Sequence, residues 1–239
     1  MNIISYGLWG TQPIYLKGAV ENAKAAKTIY PDWKCRFYID KSVPADFCKE
    51  MHNRYGSEFF MIENPFGAWH GLFWRFYIAD DPTVERFIVR DCDSRLSQRE
   101  AAAVNEWIKS GLPFHCMKDH PWQSGVPILG GMWGAVHGCI PNMVGLISQW
   151  TREQAVMTKG PDQFFLRDVV WPMVQDKCIE HDEISIPQYR NQKAIPFPVP
   201  REGYRFVGER FDEYNNPSGD EAHPAHWMIL KDFLQGKQV

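Results

Sequence analysis

The chain has no Cys-x-x-Cys pair, and none of its six cysteines stands with histidines at zinc-ligand spacing. That excludes a zinc ribbon and a dithiol redox motif. It has no apolar run long enough to cross a membrane. The opening Met1-Asn2-Ile3-Ile4 has no secretory-leader character, so the thiols read as reduced and the expected location is cytoplasmic. A basic excess is also missing: 26 Lys and Arg face 29 Asp and Glu, a net charge of -3. A nucleic-acid partner bound by phosphate neutralisation is therefore excluded. There is no internal repeat and no low-complexity linker, which favours a single domain over 1–239. What is abundant is aromatic residues, with ten Trp and fifteen Phe, and the length is enough for one bulky core.

Hydrophobic periodicity predicts alternating strands and helices. Strands are expected at 3–8, 35–39, 58–62, 86–90, 113–117, 126–129 and 178–181. Helices are expected at 14–28, 45–54, 71–79, 98–110, 141–150 and 162–170, with a loop at 64–67 and a Pro-rich, weakly patterned tail. Ser97 and Glu100 form a capping-box pattern ahead of the fourth of these helices. The alternation implies an α/β fold with a mostly parallel sheet, in which ligands bind beyond the carboxyl ends of strands.

The run Phe87-Ile88-Val89-Arg90-Asp91-Cys92-Asp93-Ser94-Arg95-Leu96 delivers two aspartates at such an end. Residues i and i+2 of a strand share a side, so Asp91 and Asp93 can reach one point, and two hard oxygen ligands suit Mg²⁺ or Mn²⁺. An acidic turn is the plain alternative. Arg75 lies in Leu72-Phe73-Trp74-Arg75-Phe76-Tyr77-Ile78-Ala79, apolar nearly all round, and must be paired or reach a cleft. It reads either as a core salt bridge or as a phosphate or carboxylate clamp. Gly130 and Gly131 follow an apolar run, where they allow close approach of a ligand or an ordinary bulge. Asp119 and His120 stand on a loop closed by Pro121; Asp162 reads as a helix N-cap; His181 is a surface residue or a metal ligand.

Taken in order, Arg90-Asp91-Cys92-Asp93-Ser94-Arg95-Leu96, Asp119-His120-Pro121, Leu129-Gly130-Gly131-Met132-Trp133-Gly134 and Asp162-Gln163 resemble the nucleotide-sugar glycosyltransferases of the GT-A fold, more narrowly a group of small bacterial and viral transferases. Tyr6-Gly7-Leu8-Trp9-Gly10, the stretch 30–38 and Phe73-Trp74-Arg75-Phe76 share the likeness, which spans roughly Ile3 to Asp182. The resemblance implies a mixed, mostly parallel sheet flanked by helices. A nucleotide-binding half at about 1–95 would precede an acceptor side at about 96–200 and a tail at 201–239. It implies transfer of a sugar from a nucleotide-diphosphate donor, UDP-sugars favoured, to a glycan or polysaccharide, with Mn²⁺ or Mg²⁺, in a bacterial or virus-infected host cytoplasm.

The resemblance also implies residue roles. Asp91, Asp93 and His181 would hold the metal. The loop 7–12 would border the base and ribose, with Tyr6 or Trp9 stacking on the base unless either is core. Arg75 and Arg95 would stabilise the diphosphate leaving group, with Gly130 and Gly131 beside the donor. Asp162, or else Asp119, would act toward the acceptor hydroxyl. The rival from another class is a haloacid-dehalogenase-type phosphatase, which also carries Asp-x-Asp after a strand and uses one aspartate as nucleophile. A second rival is a non-catalytic carbohydrate-binding domain.

Overall fold

The computed structural model describes residues 1–63, 68–154, 160–184, 194–217 and 224–237. The expected loop 64–67 and Lys159 lie outside the described residues. Among the described residues seven strands form one sheet: β1 (Asn2–Leu8), β2 (Trp33–Ile39), β3 (Glu58–Met61), β4 (Arg86–Val89), β5 (Phe114–Lys118), β6 (Trp133–Val136) and β7 (Cys178–Asp182). Their order is β3-β2-β1-β4-β6-β5-β7, and β6 alone runs antiparallel to its neighbours. Chain order reverses between β1 and β4, so a crevice opens where both strands end.

The strands read with period two. Ile3, Phe87 and Val89 point into one core layer, and Ile4, Tyr6, Leu8 and Ile88 into the other. Helix α1 (Pro13–Ile29) covers the second layer with the small stripe Ala19, Ala23 and Ala26, and Pro13 opens it where an amide would be unpaired. Helix α2 (Ala45–Tyr55) ends on left-handed Gly56, φ 70°. Helix α4 (Gln98–Ser110) starts on Ser97, whose hydroxyl accepts from the Glu100 amide at 3.1 Å. The other half of the capping box is not made. The Glu100 carboxylate accepts instead from Arg90 Nε at 2.7 Å and the Tyr30 hydroxyl at 3.1 Å, because the buried Arg90 needs a counter-charge.

Three expectations differ. The stretch 126–129 is irregular; the strand is β6, after the paired glycines, and its Trp-Gly-Ala-Val pattern is too small-residued to announce it. Gly134 is needed there because a Cβ would lie 2.6 Å from the Phe87 carbonyl. The helix expected over 71–79 is a short α-turn, α3 (Gly71–Trp74), followed by a 3₁₀ turn, Tyr77–Asp80. The helix expected over 162–170 runs further: α6 (Pro161–Phe165), a π-turn (Leu166–Val170) and α7 (Trp171–Val174). Helix α5 is Met143–Glu153, and α8 is Pro224–Leu234. All six cysteines are free thiols. Among the described residues no helix is long and apolar enough to cross a membrane.

The weakly patterned tail is stitched to the body. Phe197 and Val207 pack with Ala103, Met117 and Met132, and isolated bridges join Ile195 to His181 and Arg210 to Ser94.

Candidate active site

Strand β4 ends at Val89, and the chain turns at once, with the Ser94 hydroxyl and amide both facing the Asp91 carbonyl. Asp91 and Asp93 therefore stand on a turn and not on the strand. Convergence comes from the turn, not from strand alternation. Asn22 of α1 fixes it: its amide nitrogen donates to the Ser94 carbonyl at 2.9 Å, and its oxygen accepts from the Leu96 amide at 3.0 Å. Gly18, one turn earlier on α1, packs against the Cys92 carbonyl where a Cβ would collide. Sequence reading missed Asn22, whose signal is a polar residue on the Ala19, Ala23, Ala26 stripe.

The two aspartates line a cavity of about 400 Å³ with Gly7, Leu8, Trp9, Tyr15, Trp69, Leu72, Arg75, Cys92, Gly160, Asp162 and Gln163. At its wall lies a charged chain. Arg75 donates Nη1 to Asp91 and Nη2 to Asp162 Oδ2 at 2.8 Å. The Arg75 and Asp162 side chains are only 7% and 4% exposed, while that of Asp91 is 44% exposed. Burial pulls the Arg75 guanidinium down, but the two carboxylates outweigh it and hold it above its ordinary value. Burial pushes the Asp162 carboxyl up, with Arg75 opposing. Burial and then the Asp91 charge push Asp93 up to about 6, against the pull of Arg210, whose Nε lies 3.3 Å from Asp93 Oδ2.

The glycine pair belongs to this chain. A Cβ on Gly130 would lie 2.5 Å from Asp162 Oδ2 and 2.6 Å from Arg75 Nη2, and one on Gly131 would overlap the Asp91 carboxylate. Neither glycine lines the cavity; their bare backbones let the ion network close. The Gln163 amide, oriented to satisfy both neighbours, accepts from the Gly130 amide at 2.8 Å and donates to the Ile128 carbonyl at 3.1 Å. The Asp-x-Asp, Gly-Gly, Asp-Gln and Trp-Arg segments thus meet at one point. Gly7 serves a similar purpose: a Cβ would lie 3.0 Å from the Gly71 carbonyl, so its absence lets α3 sit on β1 and aim Arg75 into the crevice.

Other residues from the sequence lie elsewhere. Tyr6 is core, fully buried and stacked on Phe37 at 4.9 Å; Trp9 is the one at the cavity, edge-on to Trp74 at 5.7 Å. Arg95 turns away, donating to the Cys92 and Ser94 carbonyls and to Asn215 Oδ1 at 2.8 Å, over the Phe211 ring. Asp119 is fully buried, bonded to Arg99, Arg201 and the Val207 amide, and is not among the residues lining the cavity. Asp162 is the second residue of α6, whose N-cap is Gly160, so it does not occupy the N-cap position; its carboxylate accepts from the Gln163 backbone within the first turn.

His181 is inside β7, three strands from β4, at roughly 14 Å by strand spacing. Its ring nitrogens face His115 Nε2 at 2.8 Å and Glu106 at 3.2 Å, and burial lowers its affinity for a proton. It does not join the aspartates. Among the described residues no group of three or more His, Cys, Asp or Glu side chains is arranged to hold a metal ion. Tyr15, Trp69 and Arg210 are the site residues that sequence reading did not single out.

No protein-family model matches the sequence, and no curated protein does. Solved structures do. The glycosyltransferase GlyE of Streptococcus pneumoniae TIGR4 is similar over 75% of this chain and 44% of its own, at 13% identity and a TM-score of 0.50. An active-site mutant of LgtC aligns over all of this chain and 97% of its own, at 11% identity and a TM-score of 0.49. The 4-diphosphocytidyl-2C-methyl-D-erythritol synthase of Anaerococcus prevotii DSM 20548 aligns over 83% and 90%, at 12% identity and a TM-score of 0.44. At such identities it is the fold that is shared. The chain is a mixed α/β protein of the GT-A, nucleotide-sugar-transferase-like fold. Its chemistry has to be argued from the site.

Proposed function

We propose that the protein is a metal-dependent glycosyltransferase, moving a sugar from a nucleotide-diphosphate donor, UDP-sugars favoured, to a glycan or polysaccharide acceptor. One observation carries this reading: Asp91, Asp93, Arg75 and Asp162 share one cavity beyond the carboxyl ends of β1 and β4. Asp91 and Asp93 fit Mn²⁺ or Mg²⁺ by donor chemistry, as hard oxygens in mutual repulsion, one of them half exposed. Those two residues would hold the ion, leaving its other positions to diphosphate and water. When bound, it supplies positive charge against the departing nucleoside diphosphate.

The chain's own residues supply the rest. Arg75 is locked between two carboxylates, so its charge is preorganised beside the metal-binding turn and costs no reordering as the leaving group gathers charge. Trp9, Trp69 and Tyr15 give the cavity aromatic walls suited to a base or a sugar face. Asp162 is the third acid of the described lining and the candidate to act toward the acceptor hydroxyl. The phosphatase reading is disfavoured because no lysine is among the described lining residues.

A screen of nucleotide sugars with Mn²⁺, scored by release of the nucleoside diphosphate, tests the proposal. Slow hydrolysis of one donor, lost in Asp93→Ala, is the expected result. Metal-independent glycan binding without any nucleotide binding would overturn it in favour of a non-catalytic carbohydrate-binding domain.

A further inference from the structure

Each aspartate of the pair is held by its own arginine, and the two arginines are built differently. Arg75 is buried, and Asp162 holds its second nitrogen, so it is tied to carboxylates through both terminal nitrogens. Arg210 is 51% exposed and reaches Asp93 through a single 3.3 Å ion pair. It sits on the tail segment, which meets the aspartate turn edge to edge: the Phe211 amide donates to the Asp93 carbonyl at 2.8 Å, and Arg210 bridges Ser94. The backbone of Arg210 is thus pinned beside the aspartate turn, while half of its side chain is open to solvent. Tyr15, which lines the cavity, feels both the Asp93 and the Arg210 charges.

We propose that Arg210 is an internal counter-cation for Asp93, displaced when a divalent cation binds, and that its freed guanidinium then pairs with the donor's diphosphate. The proposal rests on the glycosyltransferase reading. A cation approaching Asp93 must compete with Arg210, which keeps the metal weakly held until a diphosphate offers the guanidinium a new partner. Metal and donor then bind as a linked pair: the anion that completes the metal shell also compensates the arginine. Arg210 is a positioning residue toward Asp93 and a direct contact only toward the diphosphate.

The test measures Mn²⁺ binding to the full chain by electron paramagnetic resonance of the free ion, and binding of uridine and guanosine diphosphates by calorimetry. In Arg210→Gln, Mn²⁺ affinity without nucleotide is expected to rise roughly two- to fivefold, the worth of one half-exposed ion pair. Affinity of the Mn²⁺-loaded protein for the nucleoside diphosphate is expected to fall. Arg210→Lys is expected to keep both close to the parent, since it keeps the charge. A merely structural role would weaken both in the Gln variant, so an unchanged or lowered Mn²⁺ affinity overturns the proposal. If the parent protein binds both ligands and the Gln variant binds Mn²⁺ no better, only the Arg210 proposal falls. If the parent binds neither Mn²⁺ nor any nucleoside diphosphate, the transferase reading falls and takes this one with it.

Discussion

At the scale of single residues, the site is a line of alternating charges closed by an absence of side chains. Asp162, Arg75 and Asp91 alternate in sign, and Gly131 leaves the space that the Asp91 carboxylate fills. Gly131→Ala is expected to force Asp91 off Arg75, destabilising the fold by about 1–3 kcal/mol, as an overpacked core site does. Urea unfolding together with Mn²⁺ binding would check it: stability and metal affinity should fall together. Asp93 gives the pH dependence. Its carboxyl is pushed up to about 6, first by burial and then by Asp91. A raised carboxyl binds its proton more tightly folded than unfolded, so its contribution to stability is lost as pH rises from about 4 to 6. Metal binding needs the carboxylate, so Mn²⁺ affinity should climb with pH up to about 6 and level off above it. Titration of Mn²⁺ between pH 5 and 8 would check the slope, and Asp93→Asn should flatten it.

At the scale of elements, the C-terminal segment turns from a weakly patterned tail into part of the site, and Asp119 is the reason. Arg99 of α4, Arg201 and the Val207 amide all converge on that one buried carboxylate, clamping residues 199–207 onto the loop after β5. Removing it takes a carboxylate from two guanidinium groups, leaving Arg99 the partly exposed Glu183 at 3.1 Å and Arg201 only backbone carbonyls. Asp119→Ala is therefore expected to cost about 3–5 kcal/mol of stability, the scale for breaking a buried pair. The variant that still folds should bind the nucleotide less well, because Arg210 and Phe211 ride on the same segment. A melting curve read beside nucleotide calorimetry would separate this from an acid–base role. A lost proton-transfer step would lower turnover with melting unchanged. In helix α4, Ser97→Ala is expected to cost about 1 kcal/mol through loss of the cap alone.

For the whole molecule, the decisive feature is the reversal of strand order between β1 and β4. It opens the crevice that receives Trp9 from one strand end and the aspartate turn from the other. Ligands that bind only the folded state stabilise it by mass action, about 2.7 kcal/mol at a hundredfold excess over the dissociation constant. With the proposed linkage, Mn²⁺ and a nucleoside diphosphate together should raise the melting temperature by several degrees, roughly 2–4 °C per kcal/mol for a chain of this size. Each alone should do much less. Thermal melts with the two ligands separately and combined would check this, and Asp93→Ala should abolish the joint effect.

Much of this was legible without coordinates. Period-two runs such as Phe87-Ile88-Val89, the alanine stripe of α1, the Ser97 cap and the glycine stops report local preferences that the backbone meets directly. Local preference also named Asp91, Asp93, Arg75 and Asp162 as residues needing a reason. It misjudged β6, where Gly134 and Ala135 make a strand that only neighbouring β4 and β5 hold in place. It could not say which residues share a point. Asp119 is a carboxylate like Asp162 and His181 is a common metal-ligating type, yet one is held by two arginines and the other lies three strands away. Nor could it say that Arg210, 117 positions after Asp93, would end beside it. Most of the elements and the list of chemically demanding residues could be read from the chain, because those follow from neighbours along it. Which of them form a site follows from the three-dimensional arrangement, because convergence depends on sheet order and on which charges burial leaves to answer one another.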